Sequence, residues 1–337
     1  MTIKIRYHGY SSDLTHPGDR RRIGLIEKDP NFKLVPANAK DFDITFLSSN
    51  ANLSKYFSAR DNSPVVIDLI DGYLALEGKY LQDISRNIFR SLRGKSNLLD
   101  LTYSRHIIKN LNFASGCVVP SQEIKNQALQ YAQKADIILD NHSELKAITY
   151  NPESRGILWE GFGSNLKHLK ECSIDLSKFL IENDATLHLV TDEHFYQFGN
   201  RIRKVRTRDF IKKIFVKSHD RIKLHRWSVK NLESVASECR FAIIPINQND
   251  EFGRSKCENK LLAMWTLGLP TFTSDTPAYK RVLKSTNQED CVVRSGDWKV
   301  VLAKAFSDDK TLIERRSSGI DYVKNNHQES QLLEKWR

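Results

Sequence analysis

Seven polar side chains crowd residues 250–260: Asp250, Glu251, Arg254, Lys256, Glu258, Asn259 and Lys260. They follow the apolar run FAIIPI at 241–246. They precede an amphipathic segment at 258–267, then Gly268, Pro270 and a second apolar run. That order reads as strand, ligand loop, helix, Gly/Pro stop and strand. In open α/β sheets the ligand crevice lies outside the carboxyl ends of the strands, which makes this loop a site candidate. Amides at a helix N-terminus with cations beside them suit a phosphate or diphosphate.

Other turns offer related chemistry. Gly161-Phe162-Gly163 follows a strand-like run and precedes a helical one, so it either lets a phosphate or sugar approach the backbone or forms a tight turn. Trp227-Ser228, after RIKLHRW, either lines a base pocket by stacking and a hydroxyl contact or packs its indole between layers. Near the N-terminus, His8-Gly9-Tyr10 ends a strand, and His16-Pro17-Gly18-Asp19-Arg20-Arg21-Arg22 leads into a helix. This basic cluster either holds an anionic ligand or is a solvated face. VVIDLIDGY puts Asp68 and Asp71 at a strand end, where a carboxylate orients a sugar hydroxyl, acts as a base or caps the next helix. His106, in SRHIIKN, reads as a surface or satisfied core histidine more readily than as a catalytic one.

The elements that must position these groups alternate. IKIRY at 3–7, FKLVPA at 32–37, ITFLS at 44–48, VVIDLI at 65–70, CVVPS at 117–121 and ADIILD at 135–140 are β-rich, with two helices expected over 79–113. Such alternation implies a mainly parallel sheet covered on both faces. After the polar TYNPESR, which suits a linker, the architecture repeats: GILWEGF at 156–162, a helix, LHLVTD at 187–192, a basic helical stretch over 201–217, RIKLHRW at 221–227, a helix at 230–239, the 241–274 stretch, CVVRSG at 291–296 and a helical tail. The basic stretch RIRKVRTRDFIKKIFVK interleaves cations with apolar residues, and either has a solvated face or touches anionic lipid headgroups.

Composition frames the partners. A chain of 337 residues, 40 % hydrophobic and 28 % charged, predicts two globular domains, and a net charge of +11 favours anionic partners. Five scattered cysteines without CxxC fit a reducing cytosol. The N-terminus lacks the apolar core of a signal peptide, and no apolar run approaches the ~18 residues of a membrane span, so the expectation is a cytoplasmic protein, soluble or peripheral at the inner face of the membrane. No RNA-recognition, zinc-finger or helix-turn-helix pattern occurs, and no nucleic-acid partner is expected.

The order of features resembles the GT-B glycosyltransferases, particularly the family-four-like retaining group (glycosyltransferase group 1). The segments that carry it are ILWEGFG at 157–163, LHLVTDE at 187–193, HRWS at 225–228 and, above all, ENKLLAMWTLGLPTFTSDTPAYKRVL at 258–283. The last is similar to that group's Lys-bearing helix, Gly-x-Pro strand entry and Ser-x-x-Pro-x-Tyr turn. The resemblance implies an α/β fold of two Rossmann-like domains facing across a cleft. An acceptor-binding domain would span 1–150, a nucleotide-sugar domain 151–318, and a C-terminal helix at 319–337 would pack back towards the first.

What it implies for function is transfer of a sugar from a nucleotide-sugar donor to a glycan, lipid-linked or other acceptor. As the glycosidic bond breaks, the departing diphosphate gains negative charge, which cations and helix amides stabilise without a metal. Arg254, Lys256 and Lys260 are the candidates for that role; Gly161, Gly163, Trp227, Ser228, Glu258 and Asn259 are the candidates for donor binding. On the acceptor side stand His8, Gly18, Arg20, Arg21 and Asp71. Neither a cofactor beyond the donor nor a metal is expected, since the Asp41-x-Asp43 text precedes a strand and reads as a turn. One departure stands out: Ala263 occupies the usual place of the helix glutamate, and Ser255 that of its partner eight residues earlier. A non-catalytic GT-B-like binding protein is therefore one alternative. A second is another Rossmann-type nucleotide-sugar enzyme, although a dinucleotide enzyme should carry GxGxxG where this chain reads HGYSSDLTHPGD.

Overall fold

The structure is a computed structural model, and it describes all residues except 1, 12, 52, 54–62, 78–79 and 198–202, with residue 80 described in its backbone only. The chain divides into two compact α/β units: Met1–Asn141 with Ser255–Cys257 and His327–Arg337, and His142–Arg254 with Glu258–Asn326.

In the first unit, β1 (Ile3–His8), β2 (Phe32–Val35), β3 (Ile44–Ser48), β4 (Val65–Asp68), β5 (Gly116–Val119) and β6 (Ala135–Ile137) form one sheet. Its order is β2-β1-β3-β4-β5-β6, and every pairing is parallel. The apolar runs expected to be strands are these strands. Ile5, Tyr7, Ile23, Ile26, Phe46, Val118 and Ile138 form the core beneath β1. The terminal helix Glu329–Trp336 closes it, with the Trp336 ring 5.5 Å from Phe46. Asp43, at a bend just before β3, accepts a 2.8 Å hydrogen bond from the Lys4 amide of β1.

The second unit holds β7 (Gly156–Glu160), β8 (Thr186–Thr191), β11 (Ile222–Arg226), β12 (Cys239–Ile244), β13 (Thr271–Ser274) and β14 (Val292–Val293). They run parallel in the order β11-β8-β7-β12-β13-β14, the 3-2-1-4-5-6 arrangement of dinucleotide-binding domains. β12 and β13 are buried at every residue, as expected of central parallel strands covered on both sheet faces.

Two expectations need correction. The basic stretch over 201–217 is not one helix. Arg203–Arg206 is β10, paired antiparallel with β9 (His194–Gln197), and only Thr207–Ile214 is helical; residues 201–202 lie outside the described residues. The run Arg203, Lys204, Val205, Arg206, exposed except for half-buried Val205, suits an edge strand, and the Thr207 amide bonds the Glu193 carbonyl at the hairpin base. Nor is the helix after the polar loop amphipathic. Asn259–Leu267 buries Leu261, Leu262, Ala263, Met264, Trp265 and Leu267. It ends on Gly268 at φ 82°, a left-handed cap that glycine adopts without strain. Trp265 packs on the helix Asp309–Asn326, where a Cβ at Gly319 would lie 2.7 Å from the indole, and Tyr322 meets the ring edge-on.

Candidate functional site

Strand order in the second unit reverses between β7 and β12, and the crevice outside the carboxyl ends of strands at such a point is where α/β sheets bind ligands. β7 delivers Glu160 and Gly161 there. Gly161 has φ 156°, a backbone conformation that favours glycine, and a Cβ on it would lie 2.2 Å from Lys260 Nζ, the mobile end of that side chain, which would have to move aside. Lys260, in the first turn of its helix, donates from Nζ to the Glu160 carbonyl at 2.6 Å. The same atom stands 3.9 Å from Glu160 Oε2 and 5.3 Å from the Trp159 ring centre. The Glu160 carboxylate also accepts from Trp227 Nε1 at 2.9 Å, which draws the end of β11 into the group.

The turn continues through Phe162, which is exposed, to Gly163. The Gly163 amide donates to Asp192 Oδ2 at 3.0 Å, and Phe195 of β9 packs where a side chain at 163 would project. The structure therefore brings Gly161, Gly163, Trp227 and Lys260 together. Glu160 and Asp192, each ending an apolar strand, escaped the sequence reading. Their signal was a carboxylate at the carboxyl end of a parallel strand.

Other candidates are placed elsewhere. Ser228 caps the helix Val229–Ser237 by accepting from the Asn231 amide at 3.0 Å. Glu258 is buried and accepts from Arg281 Nη2 at 2.9 Å, so its carboxylate does not cap the Lys260 helix. Asn259 opens that helix, half-buried. Arg254 ends the short helix Glu251–Arg254 with its side chain exposed. Lys256 belongs to the first unit, so the three cations do not form one constellation within a single unit. Behind the β12 and β13 ends, Ser274 Oγ accepts from the Ile246 amide at 2.8 Å, and His168 Nδ1 accepts from the Asn247 amide at 3.1 Å. These two bonds fix the loop leading to Asp250, which pairs with Lys167.

In the first unit the order reverses between β1 and β3. Asp19, fully buried, arranges the loop after β1: its carboxylate accepts from the amides of Tyr10 and Ser11 at 2.8 Å each and from the Tyr7 hydroxyl. Gly18 lies within this loop, its amide bonded to His16 Nδ1 at 3.0 Å, and a Cβ there would strike Tyr10. Of the arginine cluster, Arg22 is core: it forks onto Asp68, 2.7 Å from Nη2 to Oδ1, with both side chains fully buried. Arg20 and Arg21 are half-buried. Burial, with Arg6 beside it, lowers the His8 pKa to about 4, so His8 is neutral at pH 7. Asp71 is pushed up by burial, while the charges of Lys256 and Arg86 oppose that rise. His106 is a core residue bonded to Asp100 at 2.5 Å. Among the described residues, no group of three or more His, Cys, Asp or Glu side chains has metal-binding geometry.

No family model and no curated protein matches the sequence. Solved structures do match. Anabaena HepE in complex with UDP-glucose superposes at a TM-score of 0.64 and 12 % identity, over 99 % of this chain and 98 % of that one. WaaG, a glycosyltransferase involved in lipopolysaccharide biosynthesis, gives a TM-score of 0.59 at 11 % identity over the same shares. TarM gives 0.61 at 12 % identity over 87 % of this chain and 53 % of its own, so the chain spans about half of TarM's length. The chain has the GT-B fold.

In GT-B terms, the Gly161 turn is the switch point of the second Rossmann-like unit. Ala263 sits one helical turn beyond Lys260 and is buried, so at this position the helix presents a methyl group to its surroundings.

Proposed function

We propose that the protein is a glycosyltransferase that moves a sugar from a nucleotide-sugar donor to a carbohydrate or lipid-linked acceptor, with retention of configuration and without a metal. The observation that carries the reading is Lys260, held by the Glu160 carbonyl with its Nζ beside the bare backbone of the Gly161 turn. A cation fixed beside bare backbone at a switch point suits a diphosphate, and the nearby helix N-terminus favours the same charge. The fold it shares with HepE, a protein solved with UDP-glucose, supports the assignment.

In this reading Lys260 neutralises the charge that develops on the leaving diphosphate, Glu160 orients Lys260 and Trp227, and Trp227 flanks the base. Asn259 and Arg254 contribute at the loop. On the acceptor side, His8, Gly18, Arg20, Arg21 and Asp71 belong to the carboxyl end of the first sheet, where Lys256 also stands. Asp71, whose proton burial favours, suits hydrogen bonding to an acceptor hydroxyl. The protein works at the cytoplasmic side, in peripheral contact with an anionic membrane, and without nucleic acid.

A panel of nucleotide sugars, assayed for transfer and hydrolysis with and without chelator, tests the reading; retention is read from the anomeric configuration of the product. The buried methyl of Ala263, where the family resemblance places a glutamate, favours a second reading, a binding protein that holds the donor without turnover. Nucleotide affinity with no product from any donor would establish that one.

A further inference from the structure

The helix Tyr80–Ser91 in the first unit is turned inside out. Its inward side is polar: Asp83 is buried and accepts from the Ser104 amide at 2.9 Å, and Asn87, also buried, donates to the Asn97 carbonyl at 3.0 Å. Its outward side carries Leu81 and Ile88, spaced i, i+7, and Leu92 follows its last residue; these are 87 %, 43 % and 75 % exposed. The segment that the Asn87 bond holds against this helix adds Leu98, Leu99 and Leu101, 56 %, 84 % and 62 % exposed. Six large apolar side chains in 21 residues are far from the scattered exposures of an ordinary soluble surface.

The charges of this region have one sign where they meet solvent. Residues 80–112 contain six Lys or Arg and two Asp, Asp83 and Asp100, and both acids are buried. Arg93, Arg105 and Lys109 are exposed beside the leucines. We infer that this face docks on an anionic lipid surface, the leucines entering the acyl boundary and the cations meeting the headgroups. Within 80–112, exposed apolar side chains together with exposed cations and no exposed acid complement an anionic bilayer and disfavour a second copy of the same face. The exposed part of the 201–217 segment is strongly basic too, but among the described residues of this hairpin and helix the exposed large apolar side chains are Tyr196, on the paired strand, and Val216. The inference does not depend on the transferase reading, because binding is measured without turnover.

The test is co-sedimentation of the full chain with vesicles of phosphatidylcholine, with and without phosphatidylglycerol, for wild type, Leu92→Asp/Leu99→Asp, Arg93→Glu/Arg105→Glu, and Arg203→Glu/Lys204→Glu. The expected result is binding that needs phosphatidylglycerol, falls with salt, drops on the order of tenfold or more in the leucine variant and about fivefold per cation removed in the Arg93/Arg105 variant, and persists in the β10 variant. Melting temperatures should be unchanged, since all these side chains are exposed. Indifference to phosphatidylglycerol, or wild-type binding by the leucine variant, would overturn the inference. So would a dimer in solution that the leucine variant splits while vesicle binding stays intact.

Discussion

At the scale of single residues, the site rests on one close packing. Lys260 Nζ occupies the space a side chain at 161 would need, so the two positions are matched. Gly161→Ala is expected to destabilise the protein by about 1–3 kcal/mol, through strain at positive φ and displacement of Lys260, and denaturant unfolding reads this directly. Lys260→Ala removes the charge without adding strain. It should lower the transfer rate by about 30-fold to 1000-fold, the ~2–4 kcal/mol expected of one stabilising donor or cation, while costing about 1 kcal/mol of stability for the lost bond to the Glu160 carbonyl. A normal rate in that variant would remove Lys260 from the chemistry. Residue types alone made Lys260, Gly161, Gly163 and Trp227 legible, since a lysine at a helix start and glycines after a strand announce themselves. Partnership was not legible. Nothing in the text tells Arg22, forked onto buried Asp68, from Arg20 and Arg21, and nothing shows that Glu258 would turn to Arg281.

At the scale of elements, the helix Asn259–Leu267 aims Lys260, and Trp265 against Gly319 anchors the helix. Gly319→Ala should cost about 1–3 kcal/mol by overpacking against the indole, measured by denaturant unfolding, and should weaken nucleotide binding because the helix that carries Lys260 must shift. The paired strands β8 and β11 make a pH prediction. His188 is buried, its ring stacked on His225 with Nδ1 3.2 Å from His225 Nε2, and burial, then His225 and Lys223, lower its pKa to about 4. An unfolded histidine takes up its proton near 6.5, so the stability tied to neutral His188 is complete above about pH 6.5 and is lost as pH falls towards about 4. The melting temperature should therefore fall between about pH 7 and pH 5, and His188→Gln should flatten that fall without abolishing it, since His8 titrates in the same window. An unchanged pH profile in the variant would refute the assignment. Strands were the most legible elements, because buried parallel strands are written as unbroken apolar runs. The β9–β10 hairpin was not, because a short edge strand rich in arginine has the composition of a basic helix.

At the scale of the whole molecule, alternation of strand and helix pointed to two parallel sheets, and each unit has one. Strand order is a tertiary fact: 3-2-1-4-5-6 in the second unit and β2-β1-β3-β4-β5-β6 in the first follow from which crossovers pack, and no local residue pattern states it. The same holds for Lys256, which adjoins Arg254 and Lys260 in the text yet belongs with the first unit and acts on Asp71. The most direct test of the account is calorimetric titration of wild type and Lys260→Ala with UDP, GDP, ADP and dTDP. The account predicts that at least one nucleoside diphosphate binds wild type and that Lys260→Ala weakens it by about tenfold or more, the ~1.5–3 kcal/mol of a charge-assisted bond. Absence of binding by all four, or equal affinity in the variant, would contradict it.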